Sequence, residues 1–181
     1  MKIHVIFLLL VYLNLNAQEK QVENSDLKKD ENGISLTAPE GIYQYAFRIG
    51  EWDGVSKDLL ALNQWKTNTS KHRFYVAENG LTYVEEGLGN NGEITHRITY
   101  DYIEATDSWD NKYEELATGK TVHYTSKITN GKMIETIKRE DHVNHNDYTI
   151  VAPNIIIYTA RRTYNNGFEL VTHVGISTKN K

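Results

Sequence analysis

Between positions 94 and 102 the chain reads Ile94-Thr95-His96-Arg97-Ile98-Thr99-Tyr100-Asp101-Tyr102. Ile94, His96, Ile98, Tyr100 and Tyr102 share one face, and Thr95, Arg97, Thr99 and Asp101 share the other. A period of two with one apolar face marks an antiparallel strand packed on one side, because successive side chains leave a pleated strand in opposite directions. The same alternation returns at Val122, Tyr124, Ser126 and Ile128. It returns again in the last segment, where Phe168, Leu170, Val174 and Ile176 oppose Glu169, Val171 and His173, so His173 is expected to face solvent.

Outward from these segments the chain is punctuated at regular intervals. Asn79-Gly80, Asn91-Gly92, Gly119-Lys120, Asn130-Gly131 and Asn166-Gly167 are turn dipeptides, and Asn-Gly is a strong hairpin signal because both residues tolerate φ > 0. Further breaks are expected at Ala105-Thr106-Asp107, across Asp141 to Asp147, and at Ala152-Pro153-Asn154. A turn roughly every 10–15 residues is the rhythm of an all-β sandwich or barrel. The reading is an all-β, antiparallel up-and-down barrel of about 8–10 strands, with a short N-terminal helix in Gly41 to Ile49. A meander of this length has two open edges, and closing on itself hides both.

The chain has 181 residues, 20 Lys+Arg against 24 Asp+Glu, 39% hydrophobic residues, 12 Tyr and no Cys. Such a length fits one domain. A net charge of −4 argues against nucleic-acid binding, which rests on basic surplus. The absence of Cys removes disulfides, thiolate zinc sites, iron–sulfur clusters and cysteine nucleophiles. At the amino terminus, Met1-Lys2 precedes the apolar run Val5 to Leu13, too short to span a bilayer, and then Ala17 as a small residue for cleavage. Residues 1–17 are therefore read as a signal peptide, with an exported, periplasmic or secreted protein as the consequence and no Cys for a lipid anchor. Residues 18–40, rich in Glu, Lys, Asn and Asp, are read as a polar flexible segment, and 41–181 as the barrel domain.

Phe47-Arg48-Ile49-Gly50-Glu51-Trp52-Asp53 stands just before the first strand. This F-x-I-G-E-W-D opening, with its Gly-x-Trp pair, resembles the start of lipocalin-like (calycin-type) β-barrels, in particular a bacterial secreted family of unknown function. Tyr100-Asp101 followed by Trp109, and the late pair Arg161-Arg162, fit the same resemblance. It implies that Trp52 closes one barrel end, with an Arg from a late strand, Arg161 or Arg162, lying across its indole in a cation–π contact. It also implies an interior that takes a small apolar or amphipathic ligand.

His72 shares a face with Phe74, and His96 shares one with Tyr100, so both histidines are expected to look inward. Together with Tyr124 they would give an apolar cavity a few hydrogen-bonding points. The candidate ligand-binding set is thus Trp52, His72, Phe74, His96, Tyr100, Tyr124, Arg161 and Arg162. An alternative is an enzyme using His72 and His96 with carboxylates at the barrel mouth. A further alternative follows from the haem-binding nitrobindin barrels, which look similar in fold and hold iron through a late-strand His. With His173 expected outside, His72 or His96 would have to substitute. Glu85-Glu86 and Glu114-Glu115 each place at most one carboxylate inside, since neighbours on a strand face opposite ways. The polar run Asp141 to Asp147 reads as a turn, and no serine sits in a G-x-S-x-G elbow. The sequence nominates no catalytic residue, metal site or cofactor, and gives no oligomeric state.

Overall fold

The computed structural model describes residues 28–180. Ten strands follow one another as β1 (Gly50–Ala61), β2 (Gln64–Val76), β3 (Thr82–Leu88), β4 (Ile94–Ile103), β5 (Ser108–Glu115), β6 (Lys120–Thr129), β7 (Lys132–Lys138), β8 (His142–Ala152), β9 (Ile155–Tyr164) and β10 (Glu169–Lys179). Each pairs antiparallel with its sequence neighbours, and β1 pairs with β10 to close the barrel. Closure gives every ladder a partner and leaves no edge. The turn glycines do the work that their φ angles require: Gly80, Gly92, Gly119, Gly131 and Gly167 all have positive φ. Asn130 joins Gly131 there, at φ 52° and 72°, in the two-residue link between β6 and β7.

The expected short helix is a 3-10 segment, Glu40–Arg48. Its buried residues are Ile42, Tyr45 and Arg48, spaced by three, which at three residues per turn stack into one stripe. That stripe enters one barrel end as a plug. Tyr45 meets Trp109 edge-on at 4.4 Å between ring centroids and joins Phe74, Tyr83, Tyr100 and Met133 in the core. The plug's polar groups are also placed. Tyr45 Oη pairs with Ser126 Oγ at 2.6 Å, Tyr83 Oη donates to the Ile42 carbonyl at 3.1 Å, and Trp109 Nε1 donates to Gln44 Oε1 at 3.2 Å.

Three expectations need correction. The polar tether expected over 18–40 does not hold across its described end. Asp30 Oδ1 accepts from the amides of Asn32 and Ile34, the Ser35 amide donates to the Gly80 carbonyl, and Ile34 is fully buried in the core. One buried isoleucine in a charged run carries no periodicity, so the sequence hides it. The run Asp141 to Asp147 is not a turn, because β8 begins at His142 and pairs residue by residue with β7 and β9. Its polar residues are tolerated since Asn144 and Asn146 point into a polar part of the interior. Finally, β10 does not keep one face along its length. Val171 pairs with Arg161 but His173 pairs with Ala160, so Thr172 is an extra residue in a β-bulge. A bulge exchanges the two faces of everything beyond it. His173, Gly175 and Ser177 therefore turn inward, while Val174 and Ile176 are exposed. The signal peptide expected at 1–17 lies outside the described residues.

Candidate functional site

The barrel interior changes character along its axis. Beyond the aromatic plug lies a buried ion pair, Arg48 Nη2 to Glu85 Oε2 at 2.7 Å. Tyr100 Oη donates to the same carboxylate oxygen at 2.6 Å and accepts from Arg48 Nη1 at 3.2 Å. The guanidinium also sits 4.5 Å from the Phe74 ring centroid. Burial by itself would raise the Glu85 carboxyl, but Arg48 and the hydrogen bonds outweigh it and hold Glu85 well below the usual carboxylate range. Glu85 is thus ionised, and its neighbour Glu86 points to the outer face, where Arg73 and Arg97 cover it.

Above this pair opens a cavity of about 280 Å³. One wall carries His72, His96 and Ile98, and another Tyr148, Ile156 and Tyr158. The third wall explains why there is space at all: Gly54, Ser56, Ser70, Gly175 and Ser177 face inward from β1, β2 and β10. These glycines are close-fitted. A Cβ on Gly54 would lie 2.4 Å from Ser70 Oγ, and one on Gly175 would lie 3.1 Å from Ser56 Cβ. Gly87, between His72 and His96 on adjacent strands, has the same role on the opposite side, since a Cβ there would fall 1.9 Å from the His96 ring. The two imidazoles come within 6.1 Å of each other, edge to face. Burial lowers the His96 pKa, so its ring is neutral. His72 Nδ1 lies 3.2 Å from Glu85 Oε1, without the alignment of a hydrogen bond. At the mouth His173 Nδ1 pairs with Asp58 Oδ1, Asn68 Nδ2 donates to Asp58 Oδ2, and the His173 ring meets Tyr158 edge-on at 4.5 Å.

Of the residues singled out from sequence, Trp52, His72, Phe74 and His96 line this cavity, and Tyr100 lies beneath its floor. Tyr124 lines a second lobe of about 340 Å³ across Ile98 and Tyr158. The arginine pair does not cap Trp52. Arg161 points outward to Asp147 at 3.4 Å, and Arg162 points inward to Asn144 and Tyr164. Trp52 is buried instead by donating from Nε1 to the carbonyl of Arg48 at 2.7 Å, and the cation nearest its ring is Lys179 Nζ, 5.9 Å from the centroid. The buried guanidinium beneath the cavity comes from Arg48, inside the very motif that carries the resemblance. Sequence reasoning gave no role to Arg48 or to the small-residue wall, and allowed one carboxylate of Glu85-Glu86 inside without saying which. Glu85 left a trace, since it shares its strand face with Tyr83.

No family model matches this sequence, and no curated protein matches it. Solved structures do resemble it. The S-type phycobiliprotein lyase CPES from Guillardia theta matches with a TM-score of 0.52 at 8% identity, over 76% of this chain and 90% of that one. Rv2717c from M. tuberculosis matches with a TM-score of 0.52 at 9% identity, over 80% and 99%. A weaker likeness, TM-score 0.47 at 13% identity over 74% and 99%, is to zebrafish ileal bile acid-binding protein complexed with cholic acid. The likenesses to the lyase and to Rv2717c bear on the fold alone, a closed antiparallel up-and-down β-barrel.

Proposed function

We propose that the barrel binds a compact apolar or amphipathic molecule in the 280 Å³ cavity, its apolar part against Ile98, Ile156 and Tyr158 and its polar end toward the imidazoles of His72 and His173. The observation that carries this reading is the small-residue wall. Glycine and serine face inward where a filled barrel would place large side chains, and the space they leave is concave and apolar with a few converging polar groups. Its volume is near the lower end of ordinary ligand pockets, about 300–1,000 Å³, which selects for a small ligand. The test uses anilinonaphthalene sulfonate as the probe and Ser177→Phe as a plug that fills the cavity while leaving His72, His96 and His173 in place. The folded variant is expected to lose at least tenfold in affinity, and unchanged binding would overturn the reading. We further propose that the chain is exported, for which amino-terminal sequencing should find Gln18 rather than Met1 as the first residue.

One observation favours a second reading, haem held by His173. The bulge turns His173 inward, and Asp58 engages Nδ1, which orients the ring so that Nε2 would be the atom to hold the iron, the arrangement common to ligating histidines. The iron would bring O₂ chemistry that no side chain has. Haemin titration should then give a Soret shift that His173→Ala abolishes, whereas no shift in the wild type would end this reading.

A further inference from the structure

The second interior lobe, about 340 Å³, runs from a rim of Glu115, Lys120 and Arg139 down to Glu135 on β7, with Ile137, Val122 and Ile98 along its walls. Glu135 is 2% exposed. Its Oε2 accepts from Asn146 Nδ2 at 3.0 Å and from Tyr148 Oη at 3.2 Å. Its Oε1 is buried and has no hydrogen-bond partner among the described residues. Native interiors rarely leave such an atom unpaired, because the desolvation cost is then uncompensated. Nor does Glu135 have a counter-ion of its own among the described residues, since Arg48 is engaged at 2.7 Å by Glu85.

We propose that this lobe is a binding site for a small alkylamine-type cation, whose ammonium donates to Glu135 Oε1 while its hydrocarbon tail lies along Ile98, Val122 and Ile137. The site is separate from the one proposed above, lying on the other side of Ile98 and Tyr158. An ammonium supplies both things the carboxylate lacks, a hydrogen-bond donor and a positive charge in a place where an unpaired anion is costly. Without a cation, burial pushes the Glu135 pKa up to about 7 against the pull of Arg48. Binding of the cation favours the ionised carboxylate, so uptake of the amine is coupled to release of a proton.

The groups facing Glu135 are Arg48 and Tyr45 from the plug, Glu85 on β3, Tyr100 on β4, Tyr124 on β6, Asn146 and Tyr148 on β8, and Tyr158 on β9. The tyrosines are all raised, Arg48 stays charged and Glu85 stays ionised, so among this set Glu135 alone changes charge near neutrality.

The experiment is isothermal titration of the wild type with octylamine, and with octanol as its uncharged counterpart, in buffers of different ionisation enthalpy. Octylamine should bind with release of about one proton at pH 6, and its affinity should rise roughly tenfold or more between pH 5.5 and 8. Octanol should show neither effect. Glu135→Gln should abolish the proton release and reduce octylamine to the affinity of octanol. If Oε1 is satisfied by buried water alone, octylamine and octanol will bind alike with no proton released, and that overturns the proposal. The proton count needs only the wild type, so it stands even if the variant folds poorly. Failure of the Ser177→Phe test would leave this result untouched, and the reverse holds too.

Discussion

The two ends of the barrel are built from the same ten strands and the same alternation, yet one is solid and the other hollow. At the plugged end the inward positions are Phe74, Tyr83, Tyr100, Trp109 and Met133, with Tyr45 inserted between them. At the open end they are Gly54, Ser56, Ser70, Gly87, Gly175 and Ser177 on three neighbouring strands and β3, facing histidines and the buried Glu85, with Glu135 in the lobe beyond. Inward volume per position, not topology, decides which part of a small barrel is filled and which can take a ligand. The plugged end should carry most of the stability and the open end most of the binding, which is the order in which substitutions should act.

The largest effect is expected at the plugged end. Trp109 is fully buried against Tyr45, Tyr83 and Tyr102, so Trp109→Ala should cost about 3–5 kcal/mol in urea unfolding, the range for aromatic truncation in a core. A loss below about 1 kcal/mol would mean that the plug is not a packed core, and the comparison of the two ends would fail.

Next comes Glu135, whose contribution depends on pH. Its pKa is raised from 4.5 to about 7 in the folded protein. Below pH 4.5 it is protonated whether folded or not. Between 4.5 and 7 the unfolded chain releases the proton and the folded one holds it, so stability falls as pH rises, and above 7 the loss is complete. Glu135→Gln removes this dependence. Relative to the wild type, the variant should therefore gain about 2–3 kcal/mol between pH 4.5 and 8, of the order set by the shift. A constant difference across that range would show that Glu135 is hydrated rather than sealed.

Gly87→Ala sharpens the contrast from the open side. The added methyl would meet the His96 ring at 1.9 Å, so the imidazole must move. Overpacking of this kind should cost about 1–2 kcal/mol and shift the His96 ring resonances in an NMR spectrum. Unmoved resonances would mean that His96 is not held against the β3 backbone. The smallest effect is expected at Arg161, half-exposed on the outer face with Asp147 at 3.4 Å and Glu169 at 3.8 Å. Arg161→Ala should cost no more than about 1 kcal/mol, as for other exposed ion pairs.

The alternation at Ile94 to Tyr102 and at Val122 to Ile128, with the Asn-Gly turns between, determined the strand type, the approximate strand number and the closed meander. It also determined that His72, Phe74, His96, Tyr100 and Tyr124 point inward, because faces alternate strictly along an unbroken strand. Glu85 and Glu135 were legible in principle, each lying on a strand face otherwise apolar, at Tyr83 and at Met133 and Ile137. What only the tertiary structure decided begins with the bulge at Thr172, which turned His173 inward and Ile176 outward. Whether a strand admits an extra residue depends on how its two neighbours pair with it, and those neighbours, β1 and β9, are 115 and 13 positions away at the contacts of His173 with Asp58 and Ala160. The same holds for the arginine. Arg161 and Arg162 were candidates by their place late in the chain, but Arg48 holds the interior because the 3-10 spacing of Ile42, Tyr45 and Arg48 carries it in on the buried stripe. The cavity itself is also a tertiary fact. Gly54, Ser70, Gly175 and Ser177 are unremarkable apart, and become a wall only when β2, β1 and β10 lie side by side, since empty volume belongs to no single segment of a chain.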